Sequence, residues 1–300
     1  NDAGTQTANQ EAQQGRNLTA PRRIVSARML VAQQQREAVA LTQAETALSD
    51  AKRMARRAHR HQAFVATFEP LERQLQTRVT QYLTSLEREV VANLTAVMTR
   101  GLAEQVRQIL FDERDANAKL RRLIRPYLED AITIGTDGAA ADLGTASIGI
   151  TDRTTKAFLD AKVIKVVNIN DTIREDLRRT LSQGLEGGEN VTDLQTRVLS
   201  VMHGESNSRA LRVARTEVAG ATNGGRFLQM KHDGVERVAW LSSQDAHVRP
   251  SHQELDGQVV NLGEPFHAAG GDLYFPGDPA GPPEEVIACR CTSYQDTGPE

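Results

Sequence analysis

Between Ile24 and Met98 the chain contains no glycine and one proline, Pro70. A sheet of that length would need turns, and turns draw on Gly, Pro, Asn and Asp. Ala, Leu, Gln, Glu and Arg fill the stretch instead, and these are strong helix formers. The segment therefore predicts a long helical arm interrupted only at Pro70. After Pro70 the apolar residues Leu71, Leu75, Val79, Leu83, Leu86, Val90, Leu94 and Val97 recur in steps of three and four, the signature of an amphipathic helix. Before it, Leu30, Ala32, Val39, Leu41 and Leu48 lie along a helical face in an Ala-rich background. Only 4% of residues are aromatic, so a core must be built from Leu, Val, Ile and Ala, which suits helices better than a β-sandwich.

The rest of the chain divides around this arm. Residues 1–23 are polar and aperiodic, and read as a flexible polar arm. They contain no apolar core of a signal peptide, and no apolar run reaches the roughly 18 residues of a membrane span. Gly101 reads as a weak joint, and a further helix is expected over 103–134. The stretch "GTDGAAADLGTASIG" then reads as a loop or helix break, which places a boundary near residue 150 and makes 24–150 an elongated helical region. Residues 154–233 alternate helix-like segments with capping signals: Asn170 or Asp171 before one, Thr192 before another, and a final helix carrying the Gly224-Gly225 pair. From Gly234 the pattern changes to short strands, at "VERVAW", after the Asp256-Gly257 turn, and at the end of the Pro/Gly-rich "GGDLYFPGDPAGPPEEVIACRCT". The expected fold class is mainly α with a small C-terminal α+β unit: a long helical arm, a helical bundle and a short, irregular β-rich end.

Charge is uneven. Residues 1–130 hold 20 Lys+Arg against 15 Asp+Glu, and the remainder 16 against 24. Within the basic half, "KRMARRAHRHQ" puts Arg53, Arg56, Arg57 and Arg60 on one helical face. A solvated basic face explains such a cluster. A non-specific DNA contact through phosphates, or an acidic partner, would also use it.

The C-terminal unit carries the chemistry. Its only cysteines, Cys289 and Cys291, stand at i and i+2, so on an extended segment both thiols point to one side. Two thiolates on one face make a soft half-site for structural zinc. His252 is the first candidate for a third ligand, with Asp245, His247 or His267 for the fourth. Buried thiols beside a hydrogen-bonded histidine would explain the same residues without metal. The chain has no HExxH, no phosphate-cradling Gly-rich loop and no GxSxG, so intrinsic catalysis has little support. Arg215-Thr216-Glu217 lies on a predicted helix, as a local ion pair or as a tie from that helix to the β-rich end.

Taken in order, "ARTEVAGATNGG", "VAWLSSQDAHVRPSHQELDGQVV", "FPGDP" and "EEVIACRC" resemble the Mu F-like minor head proteins of tailed phages, within the head-morphogenesis family. The match runs over about residues 155–292, which makes 151–300 a Mu F-like head-morphogenesis domain and leaves the helical first half outside it. Arg215, Glu217, Trp240, Arg249, Asp256 and Gly257 are the motif residues beside the Cys-x-Cys. Many relatives carry Cys-x-x-Cys where this chain has Arg249 to His252, and a histidine where it has Val286. The resemblance thus implies His252 in place of a cysteine and a ligand set with members missing. An Asp245–Arg249 pair could fix the loop instead.

The resemblance implies a low-copy virion protein, made in the host cytoplasm and held inside the capsid near the portal. It would act in head assembly and in DNA packaging or delivery, without catalysis. Its partners would be the portal protein and the major capsid or scaffolding protein, with no membrane. Two other readings compete. One is a virion-carried metal-dependent hydrolase or toxin-like effector. The other is a helical DNA-contacting protein ejected with the genome.

Overall fold

The structure is a computed structural model and describes residues 20–97, 106, 109–165, 168–203 and 206–298. Residues 1–19 and Gly101 lie outside the described residues. The chain divides into two compact units, residues 1–56 and 57–300.

The long helix is present as α1 (Ala20–Val97), and Pro70 does not end it. Pro70 and Ala66 are both exposed, so water can take the carbonyl that the missing N–H would have engaged. In the first unit α1 is solvated: Val39, Leu41 and Leu48 are all more than half exposed, Ala32 is half-buried, and the side chain of Leu30 lies outside the described residues. In the second unit the expected stripe is buried from Leu71 to Leu94, and Phe64 and Phe68 extend it upstream. The side chain of Val97 lies outside the described residues.

Around this part of α1 are α2 (Glu113–Leu143), α3 (Arg153–Lys165), α4 (Asn168–Glu186), α5 (Val191–His203) and α6 (Ser206–His232). Asp112 caps α2 by accepting from the Asp115 N–H at 2.8 Å, so α2 starts about ten residues later than the sequence predicts. It also runs through the stretch expected to be a loop, ending only at Gly144 with φ 68°. The reason is packing. A Cβ on Gly135 would stand 2.0 Å from the Thr222 carbonyl oxygen, and one on Gly225 would stand 2.4 Å from the Ile132 carbonyl oxygen. These glycines let the α2 and α6 backbones touch, so they serve helix contact rather than a break. α2 and α6, on either side of residue 150, pack along each other, and the two compact units divide at Arg56/Arg57.

Capping differs in detail from expectation. α4 begins at Asn168, and Asn170 is buried, with Oδ1 2.9 Å from the Tyr82 hydroxyl and Nδ2 donating to Asn117 at 2.7 Å. Burial pushes the Tyr82 hydroxyl well above its ordinary pKa. Asn190, not Thr192, caps α5 by accepting from the N–H groups of Thr192 and Asp193.

The C-terminal end holds β1 (Arg237–Leu241), α7 (Pro250–Leu255), β2 (Val259–Asn261), β3 (Phe266–Ala268), β4 (Gly271–Leu273), α8 (Pro283–Val286) and β5 (Thr292–Gln295). β1 is the centre of an antiparallel sheet in the order β2-β1-β5, with Val238 opposite Val260 and Leu241 opposite Thr292. β3 and β4 form a separate hairpin. The fold is mainly α with a small α+β end, as the sequence predicts. Trp240, Phe266, Leu273, Leu255 and the two cysteines share its core.

The glycine contact gives a test. Gly135→Ala and Gly225→Ala are each expected to cost about 1–3 kcal/mol through overpacking, read as a lower denaturant midpoint. Gly187→Ala, where the new methyl meets nothing nearer than 3.3 Å, is expected to cost less.

Candidate metal centre

Three short devices bring the site together. Pro250 occupies the first turn of α7, where its fixed φ suits a helix start, and His252 follows on the buried side. Pro283 starts α8 in the same way and sets Glu285 inward. Ala288 then takes φ 56°, rare for a residue with a side chain, and its N–H is held by the Thr216 hydroxyl at 2.9 Å. That turn delivers Cys289, and Cys291 follows two residues later on the way into β5.

His252 Nδ1 lies 3.6 Å from Cys289 Sγ and 3.4 Å from Cys291 Sγ. All three side chains are buried, and their ligand atoms lie within 4.8 Å of one another. Zn–S near 2.3 Å and Zn–N near 2.0–2.1 Å place S and N about 3.5 Å apart on a tetrahedron, so the observed edges suit one zinc ion. The other imidazole nitrogen, Nε2, faces Glu285 Oε2 at 3.0 Å. The Glu285 carboxylate is itself positioned by the Ser251 hydroxyl at 2.8 Å and the Gly270 N–H at 3.0 Å. At that distance the two form a close polar contact, though Nε2 is not aligned for a hydrogen bond to the carboxylate. Trp240 packs edge-on against the imidazole, with ring centroids 5.2 Å apart.

The thiols are inequivalent. A hydrogen bond from Cys291, helped by His252, holds Cys289 well below the usual thiol range. The Cys289 sulfur, together with burial, pushes Cys291 well above it.

The structure brings together His252, Cys289 and Cys291 and leaves out the other candidates. Asp245 is exposed and accepts from the His247 N–H at 2.8 Å, closing a local turn. His247 is exposed, and His267 is solvent-facing and paired with Asp272. None of the three joins the cluster among the described residues. Nor does Asp245 meet Arg249: the guanidinium is drawn to the carbonyls of Glu285 and Ile287, which tie α7 to the turn before Cys289.

The motif triplet reaches three ways. Arg215 Nε contacts Glu72 of α1 at 3.2 Å, Thr216 holds Ala288, and Glu217 meets the buried Lys162 of α3 at 2.9 Å. Asp256 gathers the Ser242 N–H, the Gln244 amide and Arg57, while Gly257 takes φ 83° in the expected turn. Of the four arginines, Arg53, Arg56 and Arg60 are exposed and Arg57 is half-buried. Arg57 is bound to Asp256 at 2.7 Å, Arg60 stacks over Tyr294 at 4.2 Å, and Arg53 pairs with Asp50 at 3.0 Å.

Sequence reasoning missed Glu285, Ser251, His61 and Asn223. His61 Nε2 donates to the Arg290 carbonyl at 2.9 Å, and Asn223 Nδ2 donates to the Cys291 carbonyl at 2.8 Å. The Pro-Pro-Glu-Glu start of α8 was the one available signal, since it marks a helix start with an acidic first turn.

Residues 175–294 match the family described as Phage Mu protein F like protein. Over that stretch the chain is similar to phage Mu protein F. All three cluster residues, and Glu285, fall inside it. The chain is also similar to the NAD(+)--arginine ADP-ribosyltransferase EFV of Enterococcus faecalis, 29% identical over 139 residues. The alignment covers 44% of this chain and 27% of the relative, so the chain spans about a quarter of that protein's length. No solved structure matches.

Removing the charge behind the histidine tests the arrangement. Glu285→Gln is expected to destabilise the 57–300 unit by about 1–3 kcal/mol, since a buried charged hydrogen-bond partner is lost. The denaturant midpoint measures it, and an unchanged midpoint would count against the clasp.

Proposed function

We propose that this chain is a minor head protein that sits inside the capsid at the portal vertex and acts in head assembly. The family match over residues 175–294 carries this reading. The solvated first part of α1, with Val39, Leu41 and Leu48 exposed, supports a docking role for residues 20–56 on a helical partner such as the portal protein. Major capsid or scaffolding protein is a further partner of the same assembly. Among the described residues no helix is long and apolar enough to cross a membrane. Of the basic face, Arg57 is bound to Asp256 and Arg60 stacks over Tyr294, while Arg53, Arg56 and Arg60 remain exposed, so a phosphate contact would fall to those three. The ADP-ribosyltransferase similarity covers too little of that relative to bring its activity here.

Deleting residues 1–56 tests the docking role, since residues 57–300 form a compact unit. The shortened chain is expected to keep its circular dichroism and melting transition but to be missing from purified heads. Normal incorporation would contradict the arm as the docking element.

Within this role, His252, Cys289 and Cys291 would hold structural zinc, with Glu285 behind the histidine. The ion would supply a cross-link between α7 and β5 in a unit with a small apolar core. Both thiols must lose their protons to bind it, so affinity should fall as pH drops. A strong chelator at pH 7.5 is expected to lower the melting temperature of the zinc-loaded chain by several degrees, and Cys291→Ser to abolish that response. A chelator-insensitive melt would favour neutral packing of the thiols.

A further inference from the structure

The groove between α1 and α2 lies apart from the metal centre, and its charge is unbalanced. It measures about 660 Å³ and is lined by Arg78, Gln81, Lys119, Arg122, Tyr127 and Asp130 among others. Lys119 is neutralised by Asp115 at 2.6 Å. Arg78 and Arg122 are exposed, and among the described residues neither pairs with a carboxylate. Arg78 donates to the Gln81 amide at 3.3 Å, a neutral partner, and Arg122 adds its positive charge beside that of Lys119. α1 and α2 run in opposite directions here, since Tyr82 donates to the Ala116 carbonyl and Asn93 to the Ile109 carbonyl. That register sets Arg78 level with the α2 turn of Lys119 and Arg122, so guanidinium groups line both walls of one groove. Like charges gathered in this way cost free energy until an anion comes between them.

The opposite imbalance sits at the C-terminal end. Residues 235–298 hold 10 Asp+Glu against 3 Lys+Arg. Glu254 on α7 and Glu284 on α8 are exposed and pair with no cation among the described residues. The two short helices are neighbours, tied by Ser251 to Glu285 and by Arg249 to the carbonyls of Glu285 and Ile287. Ile287 beside them is 41% exposed and adds an apolar element. This end cannot reach the groove of its own chain. It meets α1 at Arg57 and His61, and the helix from His61 to Arg78 spans about 25 Å.

We propose that the α1–α2 groove docks the α7–α8 end of a second copy of this chain, with Arg78 and Arg122 taking the Glu254 and Glu284 carboxylates. The two surfaces are different patches, so the contact is heterologous. Each copy offers one groove and one acidic end, and copies join head to tail. The interface lies within residues 57–300 and is separate from residues 20–56. Charge complementarity of this kind steers the encounter and weakens with salt.

Sedimentation velocity of the full chain tests this. In about 50 mM sodium chloride the wild-type chain is expected to associate as its concentration rises, and about 500 mM to return it to the monomer. The double variants Arg78→Gln, Arg122→Gln and Glu254→Gln, Glu284→Gln should each associate about tenfold more weakly or less still. Their melting temperatures should not change, since all four side chains are exposed. Mixed in equal amounts, the two variants hold one intact groove and one intact end between them, and should form a dimer that grows no further. A wild-type chain that stays monomeric overturns the proposal, as does association that survives in either double variant, or a mixture that forms no dimer. A monomeric chain that binds a labelled oligothymidylate through Arg78 and Arg122 assigns the groove to nucleic acid and overturns it equally.

Discussion

One imidazole ring joins the elements of the C-terminal end. His252 faces both sulfurs through Nδ1 and the Glu285 carboxylate through Nε2, and its edge packs on Trp240. α7, the central strand β1, the short α8 and the approach to β5 therefore meet at a single side chain. The strands themselves are three to five residues long, too short to define a core by ladder hydrogen bonds alone. What they lack in apolar area must come from a link between segments, and the cluster is that link.

The helices hold the link from behind. Thr216 and Asn223 on α6, and His61 on α1, bind the backbone at Ala288, Cys291 and Arg290 in turn. Three peptide groups around the two cysteines are thus fixed by side chains from two helices, which is how a residue with positive φ is tolerated at Ala288. α6 can serve this purpose because Gly225 presses it against α2 and Lys162–Glu217 ties it to α3. Packing in the helical part and geometry at the cysteines are in this sense one structure.

The sequence was readable where a single period or spacing dominates. The stripe from Leu71 to Leu94 and the Asp256-Gly257 turn follow from local pattern, and the convergence of His252 with the Cys-x-Cys was expected from the cysteine spacing together with the family resemblance. It misled where the same residue type serves two ends. Gly135 was read as a helix breaker because its role, contact with the Thr222 carbonyl, depends on a helix some ninety residues away. The contacts of Arg57 with Asp256 and of Arg60 with Tyr294 were not legible either, because those partners come from the other end of the chain. Glu285 was overlooked because the second of two glutamates after two prolines becomes significant only once His252 is known to stand 3.0 Å away.

The account rests on His252, Cys289 and Cys291 acting as one ligand set for zinc, with Glu285 behind it. X-ray absorption at the zinc edge of the purified full-length chain addresses this most directly. The predicted result is one zinc per chain with two sulfur neighbours at about 2.3 Å and a nitrogen neighbour at about 2.0 Å, the sulfur shell being lost in the Cys289→Ser, Cys291→Ser double variant. A chain that takes up no zinc, or zinc surrounded only by oxygen and nitrogen, would contradict it.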